Sequence, residues 1–405
     1  MNLDTEKLVE LSQQYGNAFY LLDSEQFEKN YKDLTKTFSD VYSNFNIAYS
    51  YKTNYTPKLC NIVNENGGYA EVVSDMELEI ALRIGVAPRK IIWNGPIKNS
   101  EKVKQLLLIG GTVNIDSLEE LKAISEIAGK YPEHQINVGI RCNFDVGDGV
   151  ISRFGFDTET EDFDKVVEFV KETSNVYLVN LQCHFAKRNV EFWGARAKGM
   201  LDVTDRVASI LGYVPDRIDL GGGIFGNMEK DLKRQFGSPI PEYKDYAKAA
   251  ATLFAERFPD KKPELLVEPG SALAGDSMKF VGRVESIKNV RGKQFVTMLG
   301  SQKNISMAGI NPPMKIFKNG VNRTKCSDTD IVGYTCIESD VLFRNYEGDL
   351  AVGDFIMFSN CGSYSIVMKP PFIMPNFPIL DICAGTVEVI KRGETFDDLF
   401  HTFSF

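Results

Sequence analysis

The sequence predicts an α/β protein that combines a (β/α)8 TIM-like barrel with a C-terminal antiparallel β domain. Between about residues 24 and 272, short β-rich apolar runs alternate with longer segments of helical spacing. After about residue 275 the pattern changes to apolar or alternating runs with tight turns and little helix. About eight strand and helix units over roughly 250 residues are typical of a closed parallel barrel, although a doubly wound open sheet gives a similar pattern.

Most of the predicted barrel strands end in glycine, proline or a polar residue or are followed directly by one. In chain order the strands are NIAYSY (46–51), YAEVV (69–73), KIIWN (90–94), GTVNI (111–115), INVGIRC (136–142), VYLVNLQCHF (176–185), RIDLGGG (217–223) and ELLVEPG (264–270). The intervening segments carry apolar residues at i, i+3, i+4 and i+7 and open with Ser or Asp caps, as in SDMELEIALRIG (74–85) and SLEELKAISEIAGK (117–130). We therefore expect a barrel domain over residues 24–272.

The second domain is expected to combine residues 1–23 with residues 273–405 in a β-sandwich or β-barrel-like arrangement. Its predicted strands lie in KFVGRVESI, KQFVTML, DIVGYTCIE, DFIMFSN and TVEVIKR. Near the N-terminus, NAFYLLD (17–23) is a further predicted strand that can join this domain before the barrel begins.

The composition favours a small-molecule partner over nucleic acid or membrane. A net charge of -9 and a pI near 5.2 give an acidic surface, which attracts neither nucleic acid nor anionic lipid. The first residues, MNLDTEKLVE, contain no apolar signal region, and no run approaches the roughly 20 apolar residues that cross a bilayer, so a cytoplasmic location is expected. The seven scattered cysteines contain no C-x-x-C pair, and the chain has only three histidines; we expect reduced thiols and no metal site.

Chemically distinctive residues stand where the predicted strands end. In a closed barrel, the carboxyl ends of different strands meet at one mouth, where active sites are built. This rule brings together residues that are distant in sequence: Lys52, Glu71, His184, Gly221, Gly222, Gly223 and Glu268.

These residue types suit one cofactor. A glycine triplet leaves backbone N–H groups available to a phosphate. A lysine in a desolvated pocket can react with an aldehyde, and a buried carboxylate such as Glu268 needs a cation or a protonated ring nitrogen. Together they predict pyridoxal 5'-phosphate, with His184 against the ring. Taken singly, each has an ordinary alternative: a solvated lysine, a flexible glycine turn and a hydrogen-bonded core histidine.

An ordered set of motifs resembles the diaminopimelate/ornithine decarboxylase family, the alanine-racemase-like, fold-type III pyridoxal-phosphate enzymes. The resemblance covers nearly the whole chain. Its motifs are YSYKTN, GGYAEVVSDMELEIALRIGVAPRKIIWNGPIK, NIDSLEEL, RFGFD, LQCHF, DLGGGIFG, VEPG, CIESD and GDFIMFSNCGSY.

The resemblance implies a barrel followed by a β domain, in a homodimer whose active sites take residues from both chains. It implies that Lys52 carries the cofactor, that Glu268 pairs with the pyridine nitrogen and that His184 stacks on the ring. Glu71 matches an aspartate near that lysine, and Gly221, Gly222 and Gly223 match the phosphate loop. Cys336 matches the residue that reprotonates the carbanion after carbon dioxide leaves, and Tyr364 matches a tyrosine that reaches the phosphate.

The sequence departs from the family pattern at positions that bear on substrate. The family's EPGR motif ends here in Ser271, so an arginine for phosphate or substrate carboxylate is missing. Ile337 replaces the acidic residue that follows the cysteine and pairs a distal ammonium, with Glu338 and Asp340 further on. After His184, the cations Lys187 and Arg188 stand near the family's phosphate-contacting serine; they either replace that charge, meet an anionic substrate arm or are simply solvated.

These departures predict decarboxylation of an unusual amino acid or amino-acid conjugate, of the siderophore or natural-product type. The alternatives are a diaminopimelate, lysine or ornithine decarboxylase with a divergent pocket, an amino-acid racemase on the same barrel, and a non-catalytic pyridoxal-phosphate-binding pseudo-enzyme. A racemase needs a tyrosine base from the β domain, and the cysteine motif speaks against it.

Overall fold

A computed structural model describes residues 3–306 and 310–404 of the chain. These residues form two compact units. The barrel unit consists of Glu28–Phe225 and Pro241–Ala272, and the sheet unit contains the chain up to Phe27, Gly226–Ile240 and the chain from Leu273 onward.

The barrel unit repeats a strand followed by a helix. Before it stand α1 (Thr5–Tyr15), β1 (Ala18–Leu22) and the start of α2 (Ser24–Ser39). The elements up to the last barrel strand are β2 (Phe45–Ser50), α3 (Pro57–Glu65), β3 (Tyr69–Val72), α4 (Asp75–Arg83), β4 (Ile91–Trp93), α5 (Ser100–Leu108), β5 (Thr112–Ile115), α6 (Leu118–Lys130), β6 (Ile136–Asn143), β7 (Phe156–Asp157), α7 (Glu161–Glu172), β8 (Val176–Gln182), α8 (Val190–Leu211), β9 (Arg217–Asp219), α9 (Lys230–Lys233), α10 (Tyr243–Arg257) and β10 (Glu264–Val267).

Within the described residues, eight parallel strands close into a barrel. Their order is β2, β3, β4, β5, β6, β8, β9 and β10, and β10 pairs with β2. All of the predicted barrel strands are confirmed, and the open-sheet alternative is wrong because the pairing between β5 and β6 completes the ring. The short strand β7 pairs with β6 outside this ring.

Helices α4 and α6 begin at the serine caps that the sequence predicted. The Ser74 side chain accepts a hydrogen bond from the Glu77 N–H at the start of α4, and Ser117 does the same with Glu120 at the start of α6. These caps satisfy N–H groups that the first helical turn leaves without a partner. Ser74 and Ser117 each stand two residues after the end of a barrel strand, so these strands end at the barrel mouth, where their helices begin.

The barrel interior changes character along its axis. One level is apolar and is formed by Ala48, Tyr69, Ile92 and Leu266. Further along the strands, towards their carboxyl ends, the buried residues are polar or charged, namely Ser50, Glu71, Asn94, Asn114, Asn180, Gln182, Asp219 and Glu268. Buried polar groups require hydrogen-bond partners, so the polar level is the candidate for chemistry.

The sheet unit is built around long strands. The remaining elements are α11 (Ser271–Ala274), β11 (Met278–Val290), β12 (Lys293–Met298), α12 (Gln302–Ile305), β13 (Met314–Phe317), β14 (Thr324–Val332), β15 (Val341–Leu350), β16 (Phe355–Phe358), β17 (Ile379–Asp381), β18 (Glu388–Lys391) and α13 (Phe396–Phe400). As predicted, the N-terminal strand β1 belongs to this sheet, where it pairs with β11 and β17.

Two details of the predicted β domain are wrong. The sheet is mixed rather than purely antiparallel, because β1 pairs in parallel with β17 and β12 pairs in parallel with β14. The predicted strand DIVGYTCIE ends early: β14 stops at Val332, and residues 333–340 form a turn-rich loop. Cys336 and Ile337 therefore lie in a loop rather than in a strand.

Among the described residues, no helix is long and apolar enough to cross a membrane. All of the cysteines fall within these residues and are free thiols.

Candidate active site

Lys52 and Glu71 form an ion pair at the barrel mouth. Lys52 lies in a 3-10 turn, Tyr51–Thr53, directly after β2, and Glu71 lies in the neighbouring strand β3. The Lys52 Nζ is 2.5 Å from Glu71 Oε2, which also accepts a hydrogen bond of 2.7 Å from the Ser50 hydroxyl. The Lys52 side chain is 37% exposed whereas the Glu71 side chain is 1% exposed, so the amine can be reached while its partner is fixed.

The environment of Glu71 favours its charged form. Burial opposes ionisation, but the Lys52 ammonium and hydrogen bonds from Lys52, Ser50 and Asn94 together hold the pKa of Glu71 below its ordinary value. Glu71 is therefore a carboxylate that keeps the Lys52 amine in place.

The environment of Glu268, in contrast to that of Glu71, favours the protonated form of its carboxyl group. It stands directly after β10, is buried, and its Oε1 accepts from Asn94 Nδ2 at 2.5 Å and from Gln182 Nε2 at 3.1 Å. Burial, together with the nearby carboxyl groups of Asp219 and Glu71, raises the pKa of Glu268 well above its ordinary value. A carboxyl group in this position holds a proton or shares one with a partner.

A chain of asparagine amides supports these acids from inside the barrel. Asn180 Nδ2 donates to Asn114 Oδ1 at 3.0 Å, and Asn114 Nδ2 donates to Asn94 Oδ1 at 2.6 Å. Asn94 Nδ2 then donates to Glu71 Oε1 at 3.0 Å and to Glu268 Oε1 at 2.5 Å. We call Asn94, Asn114 and Asn180 the asparagine ladder; its amides donate one to the next, and the last, Asn94, donates to the two carboxyl groups.

The glycine segment after β9 is held tightly, and this corrects the expectation that all of its N–H groups are uncovered. The Gly221 N–H donates to Asp219 Oδ1 at 2.8 Å, and the Gly222 N–H donates to His184 Nδ1 at 3.0 Å. Within the described part of the chain, the N–H groups of Gly223 and Ile224 have no acceptor. Of the three predicted donors, Gly223 is thus the one left available to a phosphate among the described residues, and Ile224 adds a second.

Glycine is required here by space and conformation. Gly221 and Gly223 have φ values of 70° and 96°, in the region that favours glycine. A Cβ on Gly222 would stand 2.6 Å from the Glu268 carbonyl oxygen. The close approach of the glycine segment to the residue after β10 therefore excludes a side chain.

His184 is a neutral imidazole in this site. It is half-buried two residues beyond β8, and burial with the nearby Arg196, Lys52 and Arg141 lowers its pKa well below the ordinary value. Because Nδ1 accepts from Gly222, the ring proton is on Nε2.

The residues after His184 and in the VEPG motif that depart from the family pattern differ in their burial. Lys187 is exposed, and Arg188 is half-buried with its guanidinium 5.2 Å from the centre of the Phe225 ring. Ser271 is half-buried and opens the short helix α11.

The candidate residues of the sheet unit lie in two loops. Cys336, Ile337 and Glu338 are exposed, whereas Asp340 is buried. The Asp340 carboxylate accepts from the Ser301 hydroxyl, the Gln302 N–H and the Thr335 hydroxyl at 2.6–2.9 Å, which fastens the loop that carries Cys336. Tyr364 is half-buried with φ of 60°, an unfavourable conformation for a side-chain-bearing residue that is common at functional sites.

Several residues of the site were not found from the sequence. The asparagine ladder had a signal: asparagine is uncommon inside strands, yet it occurs in KIIWN, GTVNI and VYLVNLQCHF. A second sequence signal marked Arg196, because a charged residue on the apolar stripe of a helix is unusual. Arg196 lies on that stripe of α8 among Trp193, Ala197 and Met200.

Most of the chain matches one known family of proteins. The pyridoxal-binding domain of the pyridoxal-dependent decarboxylases matches residues 24–275. The chain belongs to the pyridoxal-dependent decarboxylases. It is a carboxy-lyase whose cofactor is pyridoxal phosphate, as the motifs predicted.

Similar proteins match nearly the full length of this decarboxylase. The diaminopimelate decarboxylase of Methanocaldococcus jannaschii is 26% identical, covering 98% of this chain and 93% of the relative, and that of Aquifex aeolicus is 23% identical, covering 96% and 92%. Among solved structures, diaminopimelate decarboxylase from M. jannaschii has a TM-score of 0.84 at 24% identity, covering 98% and 94%. The Helicobacter pylori enzyme complexed with L-lysine has a TM-score of 0.83 at 22% identity, covering 97% and 98%.

The barrel unit of the decarboxylase fits its cofactor. The unpaired N–H groups of Gly223 and Ile224 suit a phosphate, Lys52 offers an amine that solvent reaches, and Glu268 offers a buried carboxyl group to a ring nitrogen. Among the residues that the structure describes, no His, Cys, Asp and Glu cluster is arranged to hold a metal ion.

We predict that Gly139→Ala disrupts the asparagine ladder. A Cβ at Gly139 in β6 would stand 1.7 Å from Asn114 Oδ1, so the amide must move and the ladder breaks. Overpacking of this kind costs about 1–3 kcal/mol, measured as the free energy of urea unfolding. Gly129→Ala is the matched control, because its Cβ meets no atom within 4 Å and lies in α6. Equal stability of the Gly139→Ala and Gly129→Ala variants would contradict the role of the ladder.

We also predict that Asp219 makes the cofactor-free protein less stable as pH rises. Burial raises the pKa of Asp219 to about 7, against about 3.9 in an unfolded chain. Between these values the folded state keeps a proton that the unfolded state has released, so stability falls from pH 4 to pH 7 and then levels off. Thermal unfolding from pH 5 to 8 should show a smaller fall for Asp219→Asn than for the parent chain. Asp202→Asn, an exposed position in α8, should behave like the parent; a parallel decline in all three proteins would refute the assignment.

Proposed function

We propose that this decarboxylase acts on an amino acid or amino-acid conjugate of a specialised pathway, of the siderophore or natural-product type, rather than on a simple diamino acid. The observation that carries the proposal is Ile337. It directly follows Cys336, its side chain is 47% exposed, and it replaces an acidic residue of the family pattern. An apolar side chain cannot pair with the distal ammonium of a diamino acid, so that group would lose its partner on binding.

A cavity in the sheet unit supports this choice. Its volume is about 200 Å³, and it is lined in part by Ile337, Tyr334, Phe372 and Lys369. Lys369 is buried, and its Nζ donates to Asn376 Oδ1 at 2.9 Å. The cavity also contains Lys303 and the acid Asp340, whose carboxylate already accepts from Ser301, Gln302 and Thr335. Two lysines beside apolar surface, with the acid already hydrogen-bonded, suit a carbon chain ending in a carboxylate better than one ending in an ammonium.

The proposed residue roles follow the chemistry of each side chain. Pyridoxal phosphate, when bound, supplies an aldehyde and an electron-accepting ring. Lys52 would hold it through its aldehyde, and Glu71 holds the Lys52 amine in place. Glu268 would keep a proton at the ring nitrogen, and His184 would lie against the ring. In the phosphate loop, Gly223 would offer its N–H to the phosphate, whereas Gly221 and Gly222, whose N–H groups bind Asp219 and His184, would shape the turn.

The proposed proton donor and substrate contacts come from the sheet unit. The Cys336 thiol donates the proton that replaces the lost carboxylate, and Tyr364 reaches the phosphate. Ile337 and Glu338 face the substrate arm; Lys187, Arg188 and Ser271 are further candidates for contact with it. Asp340 belongs to this region through the loop that it fastens.

We further propose a cytoplasmic homodimer in which Cys336 of one protomer serves Lys52 of the other. The exposure of Cys336 supports this arrangement, since a proton donor that serves another chain must be accessible in the isolated protomer. The proposal needs no nucleic acid or membrane partner.

A second candidate is a diaminopimelate, lysine or ornithine decarboxylase with a divergent pocket. The names of the relatives favour it, because those quoted above are diaminopimelate decarboxylases. An amino-acid racemase or a cofactor-binding pseudo-enzyme would release no carbon dioxide, and membership of a decarboxylase family favours neither.

We predict that carbon dioxide release by the cofactor-loaded protein is fastest with carboxylated diamino-acid conjugates in a panel that includes ornithine, lysine and meso-diaminopimelate. Ile337→Glu should lower kcat/KM for the best conjugate at least roughly tenfold, because it places a charge beside an apolar or anionic arm. Ile337→Leu, the matched control, should remain within about twofold of the parent.

A different result would favour the second candidate, a decarboxylase of a simple diamino acid. If ornithine or diaminopimelate is the best substrate and Ile337→Glu changes the rate no more than Ile337→Leu, the specialised substrate is excluded.

We predict that inactive Lys52→Ala and Cys336→Ala chains recover activity when their subunits are exchanged. A mixed dimer contains one site with both native residues, so up to about half of the native activity per mixed dimer should return. Carbon dioxide release before and after mixing measures it. The unmixed variants, taken through the same exchange procedure, are the controls, and persistent inactivity of the mixed sample would rule out the shared site.

A further inference from the structure

Arg196 is a buried cation without an acidic partner. It lies on α8 with 0% of its surface exposed. No Asp or Glu in the described part of the chain forms an ion pair with it; instead, its guanidinium lies 4.4 Å from the centre of the Trp193 ring. Burying an unpaired charge is costly, so a structure that retains one usually gains something from it.

The guanidinium binds backbone carbonyl groups of two loops at the barrel mouth. Nη1 donates to the carbonyl oxygens of Leu220 and Gly222, both at 2.8 Å. Nη2 donates to those of Phe185 and Lys187 at 3.3 and 3.5 Å. Arg196 therefore joins the loop that carries His184 to the glycine segment.

These contacts fix the direction of a donor. In a trans peptide the C=O and the following N–H point in opposite directions. Because Arg196 holds the Gly222 carbonyl on its own side, the Gly223 N–H points away from α8. That N–H is one of the groups without an acceptor in the described residues, and it is thus presented to a ligand.

Gly223 lies beside the Arg196 guanidinium. A Cβ built on Gly223 would lie 3.8 Å from the Arg188 Cγ methylene and 3.9 Å from both Arg196 Nη2 and the Lys187 carbonyl oxygen. The guanidinium also stands at the carbonyl end of the Gly222–Gly223 peptide, where it strengthens the dipole of the free N–H. Charge effects of this kind are larger in a buried setting than in water.

We propose that Arg196 is a positioning residue for the cofactor phosphate. It turns the Gly223 N–H toward the phosphate and supplies, from behind the glycine segment, positive charge that Ser271 cannot provide. The inference concerns cofactor binding alone, so it stands or falls independently of the substrate proposed above.

The test compares two ligands that differ by the phosphate. Apo-protein is titrated with pyridoxal phosphate and with pyridoxal, and binding is followed by absorbance. Arg196→Met should weaken binding of pyridoxal phosphate at least about tenfold, since charge-assisted hydrogen bonds are lost, while pyridoxal binding stays within about twofold. Loss of both affinities in equal proportion, or of neither, would overturn the proposal.

Two further variants serve as controls, one at another arginine of the same helix and one that keeps the charge at position 196. Arg206→Met is the matched control, because Arg206 lies on the same helix, contacts Thr158 and Asp164 and is 37% exposed; both affinities should be unchanged. Arg196→Lys keeps the charge but not the planar fork, so it should weaken pyridoxal phosphate binding by roughly three- to tenfold with no change for pyridoxal. If Arg196→Met does not fold, Arg196→Lys decides alone: an unchanged ratio of the two affinities rejects the role.

Discussion

The burial of carboxyl groups at the barrel mouth is the constraint on which the rest of the site depends. Glu71, Asp219 and Glu268 are 1%, 0% and 3% exposed. A buried carboxylate is stable only with a cation, with hydrogen-bond donors or in its protonated form. The site uses each solution: Lys52 pairs with Glu71, amide groups donate to Glu71 and Glu268, and protonation is favoured at Asp219 and Glu268.

The polar level of the barrel is therefore a network rather than a set of separate residues. The asparagine ladder crosses several strands and ends on the acids, and the absence of a side chain at Gly139 leaves the room that it needs. On the other side of the mouth, Arg196 fixes carbonyl groups of the glycine segment. The mouth thus combines a buried carboxyl group at Glu268 with a glycine segment that presents free N–H groups, which suits a cofactor with a basic ring nitrogen and a phosphate.

The proposals assign different roles to residues of the two units. Residues of the barrel unit would bind the cofactor, and residues of the loop 333–340 in the sheet unit would supply the proton and select the substrate. Asp340 illustrates how such a loop can vary in its exposed residues: its buried carboxylate holds the loop through Ser301, Gln302 and Thr335, while Cys336 and Ile337 remain exposed. A substitution at Ile337 can then change selectivity without removing the contacts that hold the loop.

The strand and helix order of the barrel could be predicted from the sequence, and so could the place of Lys52, Glu71 and Glu268 at one mouth. Both follow from local periodicity, helix caps and the rule that parallel strands end together. The parallel pairings of β1 with β17 and of β12 with β14 could be seen in the folded chain alone, since each joins segments that are far apart in sequence. The same holds for the finding that Gly223 rather than Gly221 presents a free N–H, and that Arg196 lies behind it. Such hydrogen bonds depend on side chains and carbonyl groups from different loops, and no local pattern encodes which of them meet.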